Sequence, residues 1–102
     1  MEMKMYLTAA AVTVTKITVS KTSTSVGDTI TWTASATGGM GTLQYCFYVY
    51  KNGVRIRANS YQAGSAYAYK VTEAGVYTVR VFAKDSNGQS SYLDGGSVTV
   101  TG

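Results

Sequence analysis

Thr42-Leu-Gln-Tyr-Cys-Phe-Tyr-Val-Tyr-Lys-Asn-Gly-Val-Arg-Ile-Arg57 is the stretch that decides the fold. Asn52-Gly53 separates two alternating runs, and both residues tolerate the positive φ of a type I′ turn. A two-residue turn at this point sets a register: Lys51 faces Val54, Tyr50 faces Arg55, Val49 faces Ile56 and Tyr48 faces Arg57. Leu43, Tyr45, Phe47, Val49 and Ile56 then share an inner face. Gln44, Cys46, Tyr48, Tyr50, Arg55 and Arg57 share an outer one. A slip of one residue would exchange the two faces, so the agreement of both strands argues for this pairing.

The same period of two runs through the rest of the chain. A first strand is expected over Lys16 to Lys21, with Ile17 and Val19 on one face. Thr22 to Asp28 reads as a loop. Thr29 to Thr37 is the clearest strand, with Ile30, Trp32, Ala34 and Ala36 alternating against threonines and Ser35. After the hairpin come Ser65 to Val71, with Tyr67, Tyr69 and Val71 inward, and Val76 to Lys84, with Tyr77, Val79, Val81 and Ala83 inward. Ser97 to Thr101 closes the set. The expected fold is all-β: an immunoglobulin-like, two-sheet antiparallel β-sandwich of about seven strands, spanning residues 15–102. Residues 1–14 read as a linker or an expression-derived segment, because Glu2 and Thr8 spoil the pattern of a secretion signal.

Composition excludes more chemistry than it suggests. The 102 residues contain no histidine, so no His-dependent triad, zincin motif or imidazole ligand exists. Five acidic residues are dispersed, and the single cysteine, Cys46, closes no internal disulfide. No catalytic residue, cofactor or metal ligand set is assigned. Net charge is +4, but the lysines are scattered rather than clustered, which argues against nucleic acid. No run reaches the ~18 apolar residues that a membrane span requires. Asp85-Ser-Asn-Gly88 reads as a turn. Calcium is the sharper alternative for it, with Asp28 and Asp94 as further ligands, but one carboxylate and an amide fall short of the ~6–8 oxygens that calcium takes.

Three segments carry a family resemblance: Val26-Gly-Asp-Thr-Ile-Thr-Trp-Thr-Ala-Ser-Ala-Thr-Gly-Gly39, Gly41 to Gly53, and Ala74 to Gly88, completed by Ser97-Val-Thr-Val100. Together they resemble bacterial Ig-like and PKD-like modules of secreted and cell-wall proteins from Gram-positive anaerobes, most closely those of the triple-tyrosine type. The antibody subtype is excluded, because it places two cysteines and a strand-C tryptophan in its core. The resemblance implies an extracellular or wall-associated setting and no shared catalytic residues. Gly75-Val-Tyr77 resembles the start of strand F in such sandwiches, where a tyrosine hydroxyl bonds back to the corner formed here by Glu73-Ala-Gly75. Trp32, Tyr77, Asn52, Gly53 and Gly75 are therefore expected to be structural.

Three roles follow from this reading. The first is a spacer or adhesion unit whose partners are neighbouring domains of its parent chain. With seven strands running alternately up and down, the ends lie at opposite poles, and the first and last strands run side by side. The second role is binding of cell-wall or other glycans by an outer face carrying Tyr48, Tyr50, Arg55, Arg57, Arg80 and Phe82. The third is self-assembly, with Tyr6 to Thr15 adding a strand to a neighbour's sheet edge.

Overall fold

A computed structural model describes residues 11–102 as eight strands in two sheets, with no helix among them. In chain order the strands are β1 (Thr13–Val19), β2 (Ser23–Ser25), β3 (Thr29–Thr37), β4 (Gln44–Lys51), β5 (Val54–Ala58), β6 (Ala66–Lys70), β7 (Gly75–Lys84) and β8 (Ser90–Thr101). One sheet has the order β1-β3-β6 and the other β2-β8-β7-β4-β5. All neighbours are antiparallel except β2 and β8, which run parallel. The molecule is a β-sandwich, as the alternation predicts.

The core is the inner face of both layers. Ile30, Trp32 and Ala34 come from β3, Phe47 and Val49 from β4, Tyr77, Val79, Val81 and Ala83 from β7, and Val98 and Val100 from β8. Each set is spaced by two residues, so a pleated strand aims it at the opposite sheet without distortion. The alternation does not run unbroken, however. It slips three times, and each slip is a β-bulge, in which one extra residue shifts the phase of everything beyond it.

The first slip lies in β1, where the register steps between Val14 and Lys16. Val12 and Val14 lie inward before it, and Ile17 and Val19 pack on the core after it. The core therefore starts ahead of the domain boundary expected at residue 15. Val12 and Val14, which self-assembly would offer to a neighbour, are buried in the chain's own core. The rest of that segment, Tyr6 to Ala10, lies outside the described residues.

The second slip corrects the hairpin. Lys51 pairs with Val54 and Tyr50 with Arg55 as expected, but Val49 then pairs with Arg57 and Tyr48 with Ala58. Ile56 is the extra residue, left half-exposed instead of inward. Arg57 consequently moves to the inner side of the sheet rim, where its guanidinium lies 5.8 Å from the Tyr69 ring centre.

The third slip lies in β8. Val79 pairs with Gly95 and Tyr77 with Val98, so Thr78 faces two residues, Gly96 and Ser97. Leu93 and Gly95 lie inward on one side of the bulge and Val98 and Val100 on the other; without it, both valines would face solvent. Gly96 adopts φ 67° and turns its carbonyl to the Trp32 indole N–H, which donates to it at 2.7 Å. Trp32 has no exposed surface. A β-carbon on Gly96 would lie 2.5 Å from its ring. The final strand is thus 12 residues long, not the five expected from Ser97 to Thr101.

The expected loop Thr22 to Asp28 contains β2, which brings the count to eight. Asp28 organises this segment: its carboxylate accepts from Lys21 Nζ, Thr24 Oγ1 and the Thr29 backbone N–H. β1 and β2 run in the same direction, one in each sheet, so the extra strand does not reverse the chain. Val12 lies beside Gly39 and Asp85, whereas the Thr101 carbonyl accepts from Val26 N–H at the other end. The ends of the sandwich are at opposite poles; β8 packs beside β1, with Val14 N–H donating to Ser91 Oγ and Ile17 next to Gly95, but its ladder hydrogen bonds on this edge are with β2.

Two outcomes test this account. Gly96→Ala should cost about 3 kcal/mol, through a strained φ and contact with Trp32, read from urea unfolding with an unchanged slope. The Lys21 and Thr24 hydrogen bonds, helped by the Thr29 amide, lower the Asp28 carboxyl from 3.8 to about 2. Its stabilisation is complete above the unfolded value and is lost as pH falls from near 3.8 toward 2. Asp28→Asn should flatten that part of the stability–pH curve in unfolding titrations.

Candidate functional site

The outer face of the five-stranded sheet is crossed by a band of aromatic and charged side chains. Register places Tyr48 beside Arg80, Phe82 beside Tyr92, and Arg80 beside Asp94. Phe82 meets the Tyr48 ring edge-on at 4.9 Å between centres and lies 5.7 Å from Tyr92. Arg55 covers the Tyr48 ring at 5.1 Å, and Arg80 covers Tyr92 at 4.2 Å. Of the six residues expected on this face, Tyr48, Tyr50, Arg55, Arg80 and Phe82 are there. Arg57 is not, because the Ile56 bulge carries it to the other side.

Three members of the band, Tyr92, Asp94 and Tyr61, lie outside the strands expected from sequence. Tyr92 and Asp94 belong to the first half of β8, which the double glycine disguises as a turn. Tyr61 and Lys84 add an aromatic–ammonium contact at 4.3 Å beside Tyr48. The alternation of Tyr92 and Asp94 around Leu93 is the signal that would have found the first pair. Nothing periodic marks Tyr61, which sits in a crossing segment held to β4 by paired backbone bonds between Tyr45 and Gln62.

Arg80 is the best-fixed charge on the face. Its Nε donates to Asp94 Oδ1 at 2.7 Å and its Nη2 to Oδ2 at 3.1 Å, a bidentate fork that Tyr92 backs from the side. The hydrogen bond from Arg80 holds the Asp94 carboxyl below its ordinary range, and the guanidinium is correspondingly harder to deprotonate. Beside the pair the sheet surface dips into a cleft of about 390 Å³, lined by Tyr50, Thr78, Arg80, Asp94 and Gly95, with Gly53 at its end. The floor is low because Thr78 is small, Gly95 turns only its backbone to this face, and the bulge takes the next side chain out of line.

The remaining singled-out residues sit in the framework. Tyr77 Oη donates to the Glu73 carbonyl at 2.7 Å across the corner before β7. Asn52, at φ 50°, and Gly53, at φ 84°, form the hairpin turn. The Asn52 Oδ1 accepts from Val76 N–H at 2.9 Å, and Gly75 leaves room for that side chain. Asp85 is buried, with 4% exposed. Burial alone would raise its carboxyl, but N–H groups of Met40, Gln89 and Asn87 outweigh burial and hold it low. Its lone pairs are thus spent on the turn, and Asp28 stands at the opposite pole. Among the described residues no group of three or more carboxylates or thiols is placed to hold a metal ion.

A protein-family model described as the Y_Y_Y domain matches residues 37–101. The chain belongs to the Y_Y_Y domain family. Curated proteins give no match. The Y_Y_Y family is a non-catalytic module type. The match opens on the last residue of β3 and runs through β8, leaving β1, β2 and Trp32 outside it. The module's central tryptophan is thus supplied by sequence ahead of the family signature.

Cys46 lies on the expected outer face but is covered there. It projects from the outer side of β4, opposite Phe82, and only 4% of it is exposed. The segment after β5 folds over it, and its Sγ donates to the Asn59 carbonyl at 2.7 Å. Burial pushes the thiol above its ordinary value. Cys46 in the folded Y_Y_Y module should react with Ellman's reagent on the order of a hundredfold slower than in denaturing urea. Equal rates would contradict the burial.

Proposed function

We propose that this Y_Y_Y module is a structural spacer or adhesion unit in a larger secreted or cell-wall protein of a Gram-positive bacterium. The observation that carries the reading is the placement of its ends. The body is entered at the pole of Val12 and left at the pole of Thr101, so copies or unlike domains join end to end without doubling back. The Tyr77 corner, and a first strand that begins in one sheet and continues in the other, favour an immunoglobulin-like type.

The pairing at the exit supports a tensile role. β2 and β8 run parallel, and their register joins Ser23 to Thr99, Thr24 to Val100 and Ser25 to Thr101. Val26 N–H donates to the Thr101 carbonyl, and Thr99 N–H to the Thr22 carbonyl. Tension on the two ends draws β2 toward one pole and β8 toward the other. Every bond between them is then sheared together instead of opening one at a time. The Asp28 cluster holds the β2 segment in place behind that contact.

Single-molecule stretching of a polyprotein that carries this module is the test. Val26→Pro removes one donor to Thr101 and should lower the rupture force clearly more than it lowers equilibrium stability in urea. A rupture force unchanged by this substitution would refute the tensile role.

A further inference from the structure

We propose that the cleft between Tyr50 and the Arg80–Asp94 pair is a binding subsite for one ring of a neutral glycan. The inference is independent of the tensile reading and rests on the chemistry of the walls. On one side stands the half-buried ring of Tyr50; on the other the Arg80 fork grips Asp94. Thr78 and the backbone of Gly95 form a floor without bulk, within a volume of about 390 Å³. That size lies at the lower end of ligand pockets and accommodates one or two sugar rings.

The fork is the selective element. Arg80 uses its Nε–H and one Nη2–H on Asp94, which leaves further N–H donors on the guanidinium. Each carboxylate oxygen keeps lone-pair capacity. Donor and acceptor therefore stand side by side on one rigid unit, and a vicinal diol carries the matching pair. The unit is already in place before anything binds, because Tyr92 packs on the guanidinium at 4.2 Å. Little side-chain freedom is left to lose on binding. The C–H face of a pyranose would lie against Tyr50.

Other occupants fit less well. An anionic polymer meets the Asp94 carboxylate, and a cation meets Arg80. A purely apolar ligand would strip water from both charges and return no hydrogen bond. A neutral polyol satisfies both. This choice narrows the broad aromatic–basic face to its acidic end, where Asp94 rather than a surplus of arginines sets the preference.

The experiment is an amide NMR titration of the full chain with cellohexaose, xylohexaose, mannohexaose and galactotetraose, and with polygalacturonate as the anionic counterpart. At least one neutral sugar should shift the amides of Thr78, Arg80, Asp94 and Gly95 at millimolar concentration. Asp94→Asn, which keeps the side-chain shape, and Tyr50→Ala should each weaken that binding about tenfold or more. Thr33→Ala, on the opposite sheet, should leave it unchanged. No shift with any neutral sugar, shifts confined to another surface, binding of polygalacturonate alone, or full affinity in Asp94→Asn would each overturn the proposal. None of these results touches the behaviour of the module under tension.

Discussion

An indole buried between two sheets must find an acceptor for its N–H, since an unpaired donor in the interior costs ~1–3 kcal/mol. For Trp32 the acceptor is the Gly96 carbonyl, 64 residues along the chain. Much of the architecture follows from this bond. The carbonyl can turn inward only where β8 bulges, and the bulge requires a left-handed residue without a β-carbon at that position. The same bulge puts Val98 and Val100 back in the core and lowers the outer floor between Tyr50 and Asp94. One buried donor thus couples the centre of the three-stranded sheet, the phase of the last strand and the shape of the outer surface.

The pattern of inward residues was legible wherever the strands stay regular. β3 spans the residues that its alternation marks, Thr29–Thr37, and Tyr77 to Ala83 lie inward on β7 as their spacing requires. What sequence hid is concentrated at the three bulges. Val12 and Val14 look like a separate segment because Thr15 breaks their phase with Ile17. Ile56 looks inward because nothing in Val54-Arg-Ile-Arg57 announces an extra residue. The first half of β8 looks like a turn because two glycines follow Asp94. A period-two reading carries no information across a phase slip, since what decides the slip is the partner across the sheet or the core: β3 for Thr15, β4 for Ile56, Trp32 for Gly96. β2 was hidden for another reason. Three small polar residues have no alternation to detect, and it is their parallel partner that makes them a strand.

The candidate surface was half-visible for the same causes. Tyr48, Tyr50, Arg80 and Phe82 sit on regular strands and share a face as alternation dictates. Arg57 was lost across one bulge, and Tyr92 and Asp94 were hidden by another. The omission matters chemically. Without Asp94 the face reads as cationic and suited to anions. With it, the best-ordered cation is already neutralised, and the cleft presents a donor beside an acceptor. Membership of a non-catalytic family agrees with a molecule whose well-placed charges serve turns and pairs: Asp85 anchors its loop, Asp28 holds the β2 segment, and Glu73 meets Lys51 beside the corner.

The irregular β5 has a further effect on how copies of this domain behave near one another. It is one of the two edge strands of the larger sheet, and a free edge with unsatisfied amides invites a second molecule to zip onto it. Here the edge is short and kinked at Ile56, and it presents Arg55 to one side and Arg57 to the other. An incoming strand would meet positive charge on both faces and find no straight ladder to extend. At this edge a neighbouring copy therefore finds little to pair with, and the larger sheet ends at β5.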